Sequence, residues 1–156
     1  MRYLRDAFLL WQCPVRADNK WIAKPGTQDK LYAVDPVIAR LSRLRNAARL
    51  GIDVTALVEM QLGMALRRHV LSRNKQASMD EFLFYYRTPT RKEIDFVSEY
   101  LGEVAIEGKY VQTGTWVGES ATVNASPYQG ILATRNVLDT ANTDSAWPSR
   151  RRCSPT

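Results

Sequence analysis

The sequence predicts an α/β chain of the α+β kind, a mixed β-sheet flanked by helices. Three observations predict it. Apolar residues recur with a 3.6-residue period across the stretch 35–71. From residue 81 the period changes to two and aromatic residues crowd in, as in "EFLFYYRT" and "KEIDFVSEY". Turn-forming residues separate these stretches at intervals short enough for one domain.

The elements follow in order. "MRYLRDAFLLWQ" reads as the end of a helix running into a strand, and "VRADNKWIAKPGTQDK" as turn and loop. "KLYAV", 30–34, is a short strand. Asp35 then caps a helix whose first position is Pro36, with Val37, Ile38, Leu41 and Leu44 as its stripe. A second helix runs from its N-cap Asp53 to about Leu71. Ile52, Ala56, Glu59, Gly63, Leu66 and Val70 share one of its faces, which leaves Glu59 in the middle of an apolar stripe. Gly63, without a side chain, would let another element approach closely. Residues 72–80 are a polar loop. Strands follow at 81–88, 92–100 and 103–111, the last two joined through Leu101-Gly102. A short helix is expected within 113–126 and a further buried strand at 130–136. The tail from residue 142 is rich in Ser, Arg and Pro and reads as disordered.

Composition sets limits. The chain has 156 residues and a net charge of +6. Residues 144–156 carry one Asp and three Arg, so +2 of that charge lies in the tail and about +4 in the body. This permits nucleic-acid contact without demanding it. Arg40, Arg43, Arg45, Arg49, Arg67 and Arg68 are candidates for a phosphate-binding surface, although a solvated helix face is the plainer reading of each. Two cysteines, Cys13 and Cys153, and the single His69 are too few for a structural zinc site or a disulfide framework, which fits a reducing cytoplasm. Cys13 reads as a small apolar residue and His69 as a helix C-terminal cation. The apolar run Ala7–Trp11 is too short for a membrane span, so no membrane partner is expected.

The chemistry concentrates in "VAIEGKYV", 104–111. Glu107 and Lys109 project from the same face of a strand that is otherwise apolar. If strands 92–100 and 103–111 pair antiparallel around Leu101, partner numbers sum to 202. Asp95 then faces Glu107, and Glu93 faces Lys109. In this register Ile94, Phe96, Ser98 and Tyr100 share one face with Val104, Ile106, Gly108 and Tyr110. Glu93, Asp95 and Val97 share the other with Ala105, Glu107, Lys109 and Val111. Opposed carboxylates ~5 Å apart repel unless a cation lies between them. A hard divalent ion suits such an all-oxygen pair, and Lys109 would orient an attacking water or neutralise developing charge. Packing of the second helix on the sheet would add Glu59 to Asp95, Glu107 and Lys109. An E-x-K by itself is more often a cross-strand ion pair; two carboxylates face to face are harder to explain structurally.

A glutamate on a helix, an aspartate on the second strand of a meander and E-x-K on the third resemble the PD-(D/E)xK nuclease superfamily. More narrowly, "KLYAVDPVIARL", "LVEMQLGMAL", "FLFYYRTPTRKEIDFV", "VAIEGKY" and "GILATRN", in that order, look like one family. It is the C-terminal domain of unknown function that follows an AAA+ ATPase domain in many bacterial and archaeal proteins. The resemblance implies a restriction-endonuclease-like core over 1–140, with 1–50 as an N-terminal strand and helix extension and 51–140 as the nuclease-like core. It implies Mg²⁺ (or Mn²⁺) at Asp95, Glu107 and Glu59, with Lys109 catalytic beside them, and leaves nuclease activity undefined. The "PD" dipeptide is absent, since Ile94 precedes Asp95. The upstream ATPase domain expected in full-length relatives is not in this chain. The nearest approach to a P-loop, Gly102 to Gly108-Lys109-Tyr110, lacks the Ser or Thr and the strand-to-helix setting. The resemblance stops near Ala146-Trp147, where one more apolar strand is expected. The break into "PSRRRCSPT" suggests a frame-shifted tail over 141–156 and a sheet missing its last strand. The readings left are a metal-dependent nuclease, a non-catalytic module binding nucleic acid or a protein partner for an ATPase, and an inactive gene remnant.

Overall fold

The computed structural model describes residues 2–18, 20–44, 53–74, 82–110, 120–134 and 138–140. Among them the chain forms α1 (Arg2–Asp6), β1 (Leu10–Cys13), β2 (Lys30–Ala33), α2 (Pro36–Leu44), α3 (Val54–Arg73), β3 (Phe84–Arg87), β4 (Glu93–Ser98), β5 (Val104–Lys109), α4 (Ala121–Asn124), β6 (Gln129–Thr134) and β7 (Leu138–Thr140). Ile52, Arg45, Arg49, the loop at 75–80, the segment 111–119, the end of the 130–136 strand and the tail 141–156 fall outside the described residues.

The α+β class holds. β3 to β7 form one sheet in sequence order, and β1 pairs with β2 apart from it. The sheet is mixed: β5 and β6 run parallel, and the other neighbours antiparallel. β7, pairing Ile131 with Thr140 and Ala133 with Leu138, is a strand that the sequence reading, which ended its last strand at 136, did not assign.

Both long helices start where their caps predict. Asp35 Oδ1 accepts the Val37 N–H at 2.7 Å, and Asp53 Oδ1 accepts the Ala56 N–H at 3.0 Å. α3 runs to Arg73, two residues past the expected end, and Asn74 closes it by donating to the Val70 carbonyl. Met60, Gly63 and Val70 are its buried residues, one stripe facing the sheet. Gly63 is there because the space is taken. A Cβ at this position would meet Phe96 Cζ at 2.7 Å and Trp11 Cζ2 at 2.9 Å.

β5 lies at the centre of the sheet and is buried from Val104 through Gly108. On one side Val104 and Ile106 pack with Phe96, Trp11, Tyr32, Met60 and Val70. On the other, Ala105 packs with Phe84, Ile94, Val97 and Val123 of α4. Burying each large apolar side chain contributes roughly 1.5–3 kcal/mol, so a strand covered on both faces is the last place to leave a charge without a reason.

The N-terminal extension shares this core. Trp11 and Tyr32 stack at 4.8 Å, and each lies against the Phe96 ring. The chain leaving β1 then runs along the edge of β3: Tyr85 donates to the Pro14 carbonyl and Arg16 donates to that of Tyr85. Edge groups of β3 that would otherwise lie bare are thereby paired.

The β4–β5 register agrees with the predicted sum. Phe96 pairs with Ile106, Val97 with Ala105 and Ser98 with Val104. The connection is longer than the expected tight hairpin. β4 ends at Ser98, Glu99–Leu101 make a 3₁₀ turn, and Gly102 and Glu103 both take positive φ, +80° and +56°. The assignment of faces needs a correction. On β3, Phe84 pairs with Val97 and Tyr86 with Ile94, so Asp95 and Phe96 both lie opposite Tyr85. This β-bulge breaks the alternation. Ile94 therefore packs with Val97 and Ala105, not with Phe96 as strict period-two reading had it.

Candidate active site

One step beyond the Phe96–Ile106 pair, β4 and β5 are joined through side chains. Asp95 Oδ2 accepts the Gly108 N–H at 2.9 Å, and Glu107 Oε2 accepts the Asp95 N–H at 3.3 Å. The two carboxylates thus cross over at the point predicted for them. Glu107 is buried, and its Oε1 lies 2.9 Å from Lys109 Nζ. The predicted contact between Asp95 and Glu107 and the predicted neighbourhood of Lys109 are both present.

Glu59 arrives differently. It sits in the second turn of α3 and turns to β2. Its Oε1 accepts from Lys30 Nζ at 2.8 Å and from the Tyr32 hydroxyl. Lys30 Nζ lies 3.5 Å from Asp95 Oδ1 and 3.8 Å from Glu93 Oε2. Glu59 and Asp95 therefore meet through an ammonium. Glu93 turns to β3, where Arg87 Nη2 lies 2.8 Å from its Oε1.

Lys30 and Tyr32 were not foreseen in this role. The available signal was their spacing, two apart in "KLYAV", which puts both on one face of β2. The docking of β2 against α3 had no counterpart in the local sequence. A groove of about 470 Å³ opens on this side, lined by Lys30, Tyr32, Glu59, Tyr85, Arg87 and Glu93 among others. The Lys30 ammonium also lies 5.2 Å from the centre of the Tyr85 ring.

The electrostatics follow from burial. Asp95 is pushed up to about 7, by burial first, then by the charges of Glu107 and Glu59; the Gly108 N–H and Lys30 oppose the rise. Burial pulls the Lys30 ammonium down, but its hydrogen bond to Glu59 and the charges of Glu59, Asp95 and Glu93 outweigh this and leave it raised. The Tyr32 hydroxyl is held protonated well above its usual range, by burial and by donation to Glu59.

Of the predicted arginine surface, the side chains of Arg40, Arg67 and Arg68 fall within the described residues. Arg67 lies over the rings of Trp11 and Phe82, at 5.9 and 5.7 Å. Arg40 and Arg68 line separate cavities beside α2 and α3. Cys13 is fully buried, as its apolar reading implied. Among the described residues no helix is long and apolar enough to cross a membrane.

No family model, curated protein or solved structure matches the chain.

Proposed function

We propose that the chain is a restriction-endonuclease-like domain of the kind found on ATPase-type proteins, and that it cleaves nucleic acid with Mg²⁺ or Mn²⁺ at the Asp95–Glu107 pair. The observation that carries this reading is the Asp95 carboxyl, pushed up to about 7 against a second buried carboxylate. Negative charge is in excess there, and a divalent cation relieves such an excess.

The donors fit such an ion in kind, being hard carboxylate oxygens. Among the described residues no three Asp, Glu, His or Cys side chains converge to hold a metal. Asp95 and Glu107 are then the two acids that would hold it, and Glu59 acts through Lys30 and Tyr32. A divalent cation held by Asp95 and Glu107 would supply Lewis-acid chemistry there, neutralising charge on a scissile phosphate and acidifying water. The Lys109 ammonium, oriented by Glu107 Oε1, is placed to fix that water or to hold a proton at Nζ. The Gly108 N–H fixes Asp95 Oδ2, so the carboxylate is preorganised.

The test is cleavage of end-labelled single- and double-stranded DNA and RNA with and without Mg²⁺ or Mn²⁺. The expected result is metal-dependent cleavage that falls at least ~100-fold in both Asp95→Ala and Lys109→Ala. Cleavage that survives both substitutions overturns the reading.

One observation favours a second reading. The Lys30 ammonium already lies among Glu59, Asp95 and Glu93, so the chain supplies a cation of its own. On that reading the domain is a non-catalytic module for nucleic acid or a protein partner. Salt-sensitive nucleic-acid binding by wild type without cleavage in either metal would select it.

A further inference from the structure

We propose that Lys30 is the resident counter-cation of the acidic site and competes with a divalent ion for it, so that metal binding and the Lys30–Asp95 contact exclude one another. The inference rests on the metal-site reading above and adds its regulation.

The position of Lys30 is built rather than incidental. Its backbone is fixed in the β1–β2 ladder opposite Cys13. Its side chain is only 23% exposed, and three acids from two elements, α3 and β4, face its ammonium. The contacts are graded. Glu59 is held at 2.8 Å, Asp95 at 3.5 Å and Glu93 at 3.8 Å. Glu93 already has Arg87 at 2.8 Å, and Glu107 has Lys109 at 2.9 Å. Asp95 is the acid whose charge is least well met, and its Lys30 contact is long enough to be given up. A divalent ion on Asp95 would stand within a few ångströms of the ammonium, where like charges repel strongly outside bulk water. Lys30 can withdraw toward Glu59 without losing its shortest contact. The lysine thereby sets the metal concentration at which the site fills, and it ties that filling to the N-terminal hairpin that carries it.

The experiment measures Mn²⁺ binding to the full chain by the electron paramagnetic resonance signal of free Mn²⁺. Lys30→Met is expected to bind Mn²⁺ about tenfold more tightly than wild type, and Lys30→Arg, which keeps the charge, to stay near wild type. Mn²⁺ binding by wild type with no gain in Lys30→Met overturns the inference and leaves the metal site standing. Absence of Mn²⁺ binding at millimolar concentration in both wild type and Lys30→Met overturns the metal-site reading, and this inference with it. If Lys30→Met does not fold, wild type decides. The Lys30 ammonium resonance in ¹⁵N-lysine spectra, assigned by its loss in Lys30→Arg, is expected to move on saturation with Mg²⁺. An unmoved resonance at saturation overturns the competition.

Discussion

Asp95→Asn is expected to raise the melting temperature above pH 7 while abolishing metal-dependent cleavage. The argument is one of proton linkage. The Asp95 carboxyl is held up to about 7 in the fold, against an ordinary value of 3.8 in an open chain. Between those two values the folded protein binds more protons than the unfolded one, so stability falls as pH rises through that window and levels off above it. The fall is on the order of 4 kcal/mol, shared by the coupled Asp95–Glu107 pair. Asparagine keeps an oxygen for the Gly108 N–H and carries no charge. Its melting temperature is expected to match wild type near pH 4 and to exceed it at pH 8 by roughly 10 °C for a chain of this size. Mg²⁺ at pH 8 is expected to raise the wild-type value and leave Asp95→Asn unmoved. Thermal unfolding followed by circular dichroism across pH checks both. A wild-type curve flat from pH 4 to 8 would sink the account.

Gly63→Val is expected to be the most damaging single change in the core. Even the Cβ of alanine would lie 2.7 and 2.9 Å from two atoms of the Phe96 ring and 2.9 Å from Trp11. Those rings are held by their contacts with each other and with Tyr32, and are not flexible chain ends. Overpacking of this kind costs ~1–3 kcal/mol. The helix propensity gained by leaving glycine returns only ~1 kcal/mol. Gly63→Ala should therefore be modestly destabilised, and Gly63→Val, with two more methyl groups at the same spot, by about 3 kcal/mol or more. Phe96→Leu shortens the opposing side chain and is expected to recover part of the Gly63→Ala loss, a coupling of ~1 kcal/mol in a double-mutant cycle. Urea unfolding of the four proteins measures it. Strict additivity would mean that the helix and sheet do not meet as described.

Much of this was legible in the chain. A short connection pins the register of the strands it joins, so the placement of Leu101 was enough to set Phe96 against Ile106 and Asp95 near Glu107. Asp35 and Asp53 announced their helices through short-range capping that needs no tertiary context. Glu59 in an apolar stripe signalled an acid turned inward, and it lies half-buried against Lys30 and Tyr32. The bulge at Asp95–Phe96 was not legible, because it arises from pairing with β3 and leaves no mark on the alternation of β4 itself. Lys30 escaped for a related reason. A four-residue strand says little about which helix it will meet, and the Lys30–Glu59 pair spans 29 positions. β7 was too short, at three residues, to leave a period of its own in the sequence.

Cys13 gives the hairpin a chemical clock. Its side chain is fully enclosed, its Sγ donates to the Leu83 carbonyl at 3.7 Å, and burial raises the thiol far above its normal range. A disulfide reagent in solution can reach this sulfur only after β1 has lifted away from the segment leading into β3. With Cys153 replaced by serine, Cys13 is the sole thiol of the chain. At reagent concentrations high enough to outrun reclosing, its modification rate then counts detachments of the element that holds Lys30 against the acids.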